Sequence, residues 1–187
     1  MSQIDSLPAL REVIAANDLS ARKSLGQNFL LDLNLTAKIA RQAGPLEDFD
    51  ILEIGPGPAG LTRSILKAGP KELSVIETDK RCLPLLAEIK ILYPTLNILH
   101  ADALKVKLPN IVTNRKLDIV SNLPYNIGTK LLIDWIYQIN HVQSMTLMLQ
   151  KEVVDRIVSL NGKKSYGRLS IICQIMCDVE KCFDVSP

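Results

Sequence analysis

Short apolar runs alternate with helical segments along most of this chain, and that alternation constrains the fold more than any other feature. Residues 50–54, Asp-Ile-Leu-Glu-Ile, form an apolar run stopped by Gly55-Pro56-Gly57, the pattern of a strand entering a tight turn. Further runs at 73–78, 96–100, 117–121 and 145–149 read as strands. Between them, 59–68, 81–92, 130–139 and 151–160 carry helical periodicity, with Pro84 in a first turn and Asn161-Gly162 as a stop. Ahead of the first strand, 7–16 reads as a helix with Leu7, Leu10, Val13 and Ile14 on one stripe, and Asn34 is placed to cap a second helix through Ala43. Strand–helix alternation with short connections predicts an α/β fold, a mostly parallel sheet with helices on both faces. In such sheets ligands sit beyond the carboxyl ends of the strands.

A chain of 187 residues is one domain, or one domain plus a fragment, and the scaling of surface with size buries about 70% of it. With 47% hydrophobic and only 4% aromatic residues, Ile, Leu and Val must build the core. The net charge of +2 does not by itself mark a nucleic-acid binder. Asp5, Glu12 and Asp18 interrupt the beginning of the chain, no apolar signal region follows, and no run is long enough to span a membrane, so a cytoplasmic location is expected. Cys173, Cys177 and Cys182 follow a C-x3-C-x4-C spacing that fits no common zinc pattern. With Cys82 they are expected to be reduced thiols, and no metal is expected. Residues 182–187 read as a strand or extended segment running into nothing, as in a truncated protein.

The chemistry-bearing residues lie where strands end. Gly55, Gly57 and Gly60 match G-x-G-x-x-G, and such glycines let backbone approach a ligand closely. Pro56 and Pro58 remove N–H groups from that turn, which favours a ligand without phosphates. Glu77 ends the second strand 20 residues after Gly57, where an acid accepts hydrogen bonds from ribose hydroxyls. To this point NAD and S-adenosylmethionine are equally open. Asp102, after the third strand, either accepts from an adenine amino group or caps the next segment. The fourth strand runs into Asn122-Leu123-Pro124-Tyr125. The lone pair of an adenine N6 amine is delocalised into the ring, so N6 is a poor nucleophile. Two acceptors on its hydrogens draw it toward tetrahedral geometry, and the Asn122 side-chain oxygen and Leu123 carbonyl suit that role. Pro124 holds the backbone rigid, and Tyr125 offers a face to a flipped-out base. The work is positioning and electrostatics, without a covalent intermediate.

These residues resemble the small-subunit ribosomal RNA adenine dimethyltransferases of the KsgA type. The likeness rests on Gln27-Asn28-Phe29-Leu30, Glu53-Ile-Gly-Pro-Gly57, Ile76-Glu77-Thr-Asp79, Ala101-Asp102-Ala103-Leu104, Asn122 to Ile127, Leu149-Gln-Lys-Glu-Val153 and Tyr166-Gly-Arg-Leu-Ser170, in the family's order. It implies a Rossmann-like class I methyltransferase fold, S-adenosylmethionine as donor and cofactor positions at Asn28, Leu30, Gly55, Glu77, Asp102 and Asn122. The substrate it implies is a pair of adjacent adenosines near the 3′ end of 16S rRNA, each dimethylated at N6, with the small ribosomal subunit as partner and a role in its biogenesis. The whole chain, 1–187, is then the methyltransferase domain, with 1–32 as a helical, cofactor-capping segment, and a monomer is expected. Lys23, Lys151, Lys163, Lys164 and Arg168 are candidate phosphate contacts.

Two further expectations accompany the likeness. The resemblance leads one to expect a small C-terminal helical domain, and a second stacking aromatic in a Phe-x-Pro-x-Pro stretch after a segment like Val185-Ser-Pro187, both beyond residue 187. Phe183 is expected to pack rather than replace that aromatic. The competing readings are a large-subunit adenine-N6 methyltransferase of the macrolide-resistance type, a non-catalytic ribosome assembly factor, and an NAD-dependent dehydrogenase. The last lacks a placed hydride-transfer partner, since His100 falls in the third strand and His141 in a loop.

Overall fold

A computed structural model describes residues 3–22, 25–111 and 115–185. Five strands, β1 (Asp50–Ile54), β2 (Glu72–Glu77), β3 (Leu96–His100), β4 (Leu117–Asn122) and β5 (Val142–Met148), form one sheet in the order β3-β2-β1-β4-β5. All four pairings are parallel. The strand order reverses between β1 and β4, so the crevice for a ligand opens at the carboxyl ends of these two strands.

Alternation along each strand explains why both faces are covered. Ile51, Leu73, Val75 and Val120 face one side, where α2 (Leu33–Gln42), α3 (Gly60–Lys67) and α4 (Leu83–Leu92) supply Ile39, Ile65 and Leu86. Leu52, Ile54, Ile76 and Ile119 face the other and meet Leu131 and Trp135 of α5 (Gly128–Ile136). Strands buried on both sides read as continuous apolar runs, as β1 and β4 do. No helix among the described residues is long and apolar enough to cross a membrane.

Several element boundaries differ from the sequence reading, each for a local reason. Residues Gln3–Ser6 form a 3₁₀ turn and α1 (Leu10–Ala16) starts only after Pro8, which leaves Leu7 outside the helix. Asp32, not Asn34, caps α2; its Oδ1 accepts from Asn34 N at 2.8 Å and Leu35 N at 3.4 Å. The stretch before α4 is a 3₁₀ turn, Lys80–Cys82, capped by Asp79. Helix α5 starts at Gly128 and stops at Ile136, and β5 begins at Val142 with an irregularity opposite Leu117/Asp118.

The region after residue 160, where no helix was assigned from sequence, holds α7 (Arg168–Met176). Its start is fixed by Ser170, whose hydroxyl accepts from Gly167 N and donates to the Arg156 carbonyl at the end of α6 (Lys151–Ile157). Of the two readings for the chain's end, strand or extended segment, the strand is not formed: 178–185 belongs to no helix or strand. Phe183 packs against the core there, with Lys38 Nζ 3.8 Å above its ring. Ser186 and Pro187 lie outside the described residues.

Candidate active site

The β1 and β4 strand ends are held together by one side chain. Their ladder pairs Asp50 to Leu52 with Leu117 to Ile119. Further on, the buried Ser121 hydroxyl takes over, accepting from Ile54 N at 3.2 Å and donating to Ile54 O at 2.9 Å. Beyond it the chains part, and an open cleft of about 590 Å³ lies between the turn after β1, the ends of β2 and β3, and the turn after β4. Its wall includes Asn28, Gly55, Gly57, Glu77, Asp102, Asn122, Leu123 and Pro124, so the structure brings most of the sequence-predicted residues into one place. Leu30 lines a smaller adjoining recess together with Glu53 and Asn122. Among the described residues, no His and no Lys is in either wall.

The turn after β1 is dictated by close approach. Gly55 and Gly57 have φ of +65° and +54°, a region that other residues enter at a cost. A Cβ on Gly57 would stand 3.0 Å from the Phe29 ring, and one on Gly60 would collide with the Leu30 carbonyl. The glycines therefore admit the 25–30 segment onto the sheet edge, where it forms one wall of the cleft.

Glu77 is 3% exposed. Its Oε2 accepts from Gly57 N at 3.0 Å and its Oε1 from Asp79 N at 2.7 Å. Burial raises its pKa, while these N–H groups pull it back. The carboxyl is thus fixed by the two loops it joins and keeps further lone pairs for hydroxyl donors in the cleft. Asp102 is exposed and does cap the next turn, Oδ1 accepting from Leu104 N at 3.0 Å. It also lines the cleft, so the capping role leaves it at the cleft wall.

Asn122 is oriented by its amide nitrogen. Nδ2 donates to the Asn28 carbonyl at 2.9 Å, while Oδ1 is buried and has no partner among the described residues. A buried, unsatisfied amide oxygen costs on the order of 1–3 kcal/mol, and a structure tolerates that where a ligand donor completes the bond. The following turn is rigid: Leu123 N donates to Met148 O at 3.2 Å, and the Pro124 carbonyl accepts from Gly128 N at 2.9 Å. Pro124 packs over Gly55, and the turn leaves the Tyr125 ring 41% exposed.

Two residues of the site carried no weight in the sequence reading. Phe29 lines both spaces and packs on Gly57; its position inside Gln27-Asn28-Phe29-Leu30 was the available signal. Glu53 is 2% exposed, accepts from the Thr62 hydroxyl at 2.7 Å, and is pushed by burial up to about 8. An acid inside an apolar strand was visible, but its burial was not.

Among the candidate phosphate contacts, Lys163, Lys164 and Arg168 are exposed, whereas Lys151 pairs with Asp155 at 2.7 Å; Lys23 lies outside the described residues. Cys82 and Cys173 are buried, Cys177 is half-buried and Cys182 exposed, all as free thiols. Among the described residues no group of three or more His, Cys, Asp or Glu side chains could hold a metal ion.

Comparison with known proteins points the same way as the geometry. The family model for ribosomal RNA adenine dimethylase matches residues 18–187. A protein named ribosomal RNA small subunit methyltransferase A from Roseobacter denitrificans is 53% identical over 191 aligned residues, covering 100% of this chain and 68% of that one. Its namesake from Jannaschia is 55% identical over 183 residues, covering 95% and 63%. Among solved structures, a dimethyladenosine transferase from Plasmodium falciparum superposes with a TM-score of 0.71 at 25% identity, over 81% of this chain and 54% of that one. The 23S rRNA methyltransferase ErmE gives 0.65 at 27% identity, over 77% and 56%. The chain belongs to the ribosomal RNA adenine dimethylase family.

Proposed function

We propose that this protein transfers methyl groups from S-adenosylmethionine to N6 of two adjacent adenosines near the 3′ end of 16S rRNA, giving dimethyladenosines. One observation carries the reading: the buried Asn122 Oδ1, held by the Asn28 carbonyl through its own nitrogen and left at the cleft without a donor among the described residues. An N6 amine is the kind of donor it lacks.

The residues present fit the methyl donor. Glu77 would take the ribose hydroxyls and Asp102 the adenine amine, with Asn28, Leu30 and Gly55 as the walls. Bound there, S-adenosylmethionine supplies an electrophilic methyl group. The chain's own part is to prepare the nucleophile. Asn122 Oδ1 and the Leu123 carbonyl accept from the two N6 hydrogens and draw the lone pair out of conjugation. Tyr125, exposed beside the rigid Pro124 turn, provides a stacking face for the base. Holding the amine in line costs the site no further reorganisation. The proton that N6 sheds leaves by the accepting oxygens to solvent. The whole chain acts as the methyltransferase domain, with 1–32 on the donor side, and works as a monomer in the cytoplasm. Lys163, Lys164 and Arg168 would meet rRNA phosphates.

The likeness to ErmE shows that fold alone does not separate small- from large-subunit substrates. The names of the relatives at 53% and 55% identity favour the small subunit. The test is incubation with S-adenosylmethionine and unmodified small subunits, then mass spectrometry of the digested rRNA. Dimethyladenosine at adjacent positions, absent with Asn122→Ala, is the expected result. Modification confined to large-subunit rRNA, or none with donor binding intact, would reject it.

A further inference from the structure

We infer that Asp79, with Arg81 and Gln27, is a positioning node that locks the Asn28 wall of the site to the Glu77 wall and thereby sets both donor affinity and the orientation of the Asn122 amide. The inference rests on the donor-site reading above. Asp79 does not line the cleft, yet it is only 5% exposed and is surrounded by donors. Arg81 grips it through Nε at 3.0 and 3.2 Å and Nη2 at 2.6 Å, and Gln27 Nε2 donates to its Oδ2 at 3.1 Å. Arg81 reaches on to the Ser20 carbonyl at 3.2 Å, and Gln27 Oε1 takes Arg22 N at 2.9 Å. Ser20 is therefore tied to the end of β2 through Arg81, and Gln27 through the Asp79 carboxylate that Arg81 grips. The Arg81 guanidinium holds that carboxyl down to about 2, so it stays ionised.

The node has two outputs. On the β2 side, Asp79 N donates to Glu77 Oε1 at 2.7 Å and fixes the acid proposed for the ribose. On the other side, Gln27 precedes Asn28, whose carbonyl holds Asn122 Nδ2 at 2.9 Å and so leaves Oδ1 as the free acceptor. Loss of the tie would let the Asn28 carbonyl drift and the amide turn over. Charge-assisted hydrogen bonds of this kind are the strong ones, and networks of them act as units.

The test uses Arg81→Gln, Gln27→Leu and the double variant, with Arg81→Lys as the conservative control. Titration calorimetry with S-adenosylhomocysteine reads donor-site affinity, and hydrogen exchange reads the 25–29 amides against those of β1 and β4. Each single variant should weaken binding roughly tenfold, within the usual range of coupling between linked sites. The double variant should be no worse than the weaker single, and Arg81→Lys should recover part of the loss. Exchange should rise in 25–29 and stay unchanged in the strands. Unaltered affinity, unaltered 25–29 exchange, or faster exchange spread equally over the strands would overturn the node. Failure of the unmodified protein to bind S-adenosylhomocysteine would instead sink the donor-site reading, while the exchange comparison still judges the tie.

Discussion

The turns after β1 and β4 face each other across the cleft, and they treat their polar groups in opposite ways. After β1, Gly55 N goes to Ile76 O at 2.9 Å, Gly57 N to Glu77 at 3.0 Å, and two prolines carry no N–H at all. After β4, a buried amide oxygen is left without a partner among the described residues and an aromatic ring stands 41% exposed. A turn with its donors spent is a finished wall, suited to holding one ligand the same way at each turnover. A turn with an open acceptor and an open ring is completed only by a second molecule. The difference supports the proposed division, with the methyl donor at the first turn and the base at the second.

The most direct way to break this division is Asn122→Ala. It removes the open acceptor while leaving the β1 turn untouched, so turnover should fall by roughly 10²–10³, the usual cost of deleting one preorganised transition-state contact. Binding of S-adenosylhomocysteine should change far less, because Asn122 contributes only an edge of that wall. Single-turnover methylation and calorimetry on the same preparation check both halves. An equal loss in the two measurements would show that the turns are not functionally separate.

Glu77→Ala attacks the other side. It strips the ribose acceptor and leaves Gly57 N and Asp79 N without their partner. Donor affinity should drop by roughly 1.5–3 kcal/mol, the worth of a hydrogen bond to a charged group. Turnover at saturating donor should survive better than with Asn122→Ala. An unchanged dissociation constant would remove Glu77 from the ribose assignment.

How much of this could be read from the chain follows from the same contrast. Strand–helix alternation gave all five strands because each is a local apolar run, and β1 and β3 match to the residue. The glycine turn and Asn122-Leu123-Pro124-Tyr125 were legible because their residue types are unusual at strand ends. Helix starts were less so: whether Asp32 or Asn34 caps α2 depends on where the helix begins, and both are good caps. The helix after residue 160 was not legible because α7 is anchored by the Ser170 hydroxyl to another helix, a tertiary bond without local periodicity. The partnership of Gln27 with Asp79 spans 52 residues and was equally invisible.

Glu53 sharpens the comparison from beneath the β1 turn. Its folded pKa of about 8 lies above the unfolded value of 4.5, so between them the folded state binds the extra proton. The stability Glu53 lends is full below pH 4.5 and is lost as pH rises toward about 8, with a limiting slope of about 1.4 kcal/mol per pH unit. Glu53→Gln keeps an acceptor for the Thr62 hydroxyl and cannot ionise. Its stability relative to the unmodified protein should therefore rise across that window and level off above it. Denaturant melts at several pH values measure the difference, and a difference independent of pH would mean that Glu53 is already ionised in the fold.

Tyr125→Phe should do least of all. If the ring serves as a face for the base, the hydroxyl is dispensable, because stacking uses the π-surface. Tyr125 is 41% exposed, so removing one polar atom from it should cost folding little. Turnover on small subunits should stay within about twofold, a free-energy change of about 0.4 kcal/mol. Tyr125→Ala, which removes the face, should cost more, roughly 1–3 kcal/mol in RNA substrate affinity, with donor binding unchanged. If phenylalanine proved as damaging as alanine, the hydroxyl itself would have to touch the substrate, and the β4 turn would recognise the base by a hydrogen bond as well as by its open acceptor.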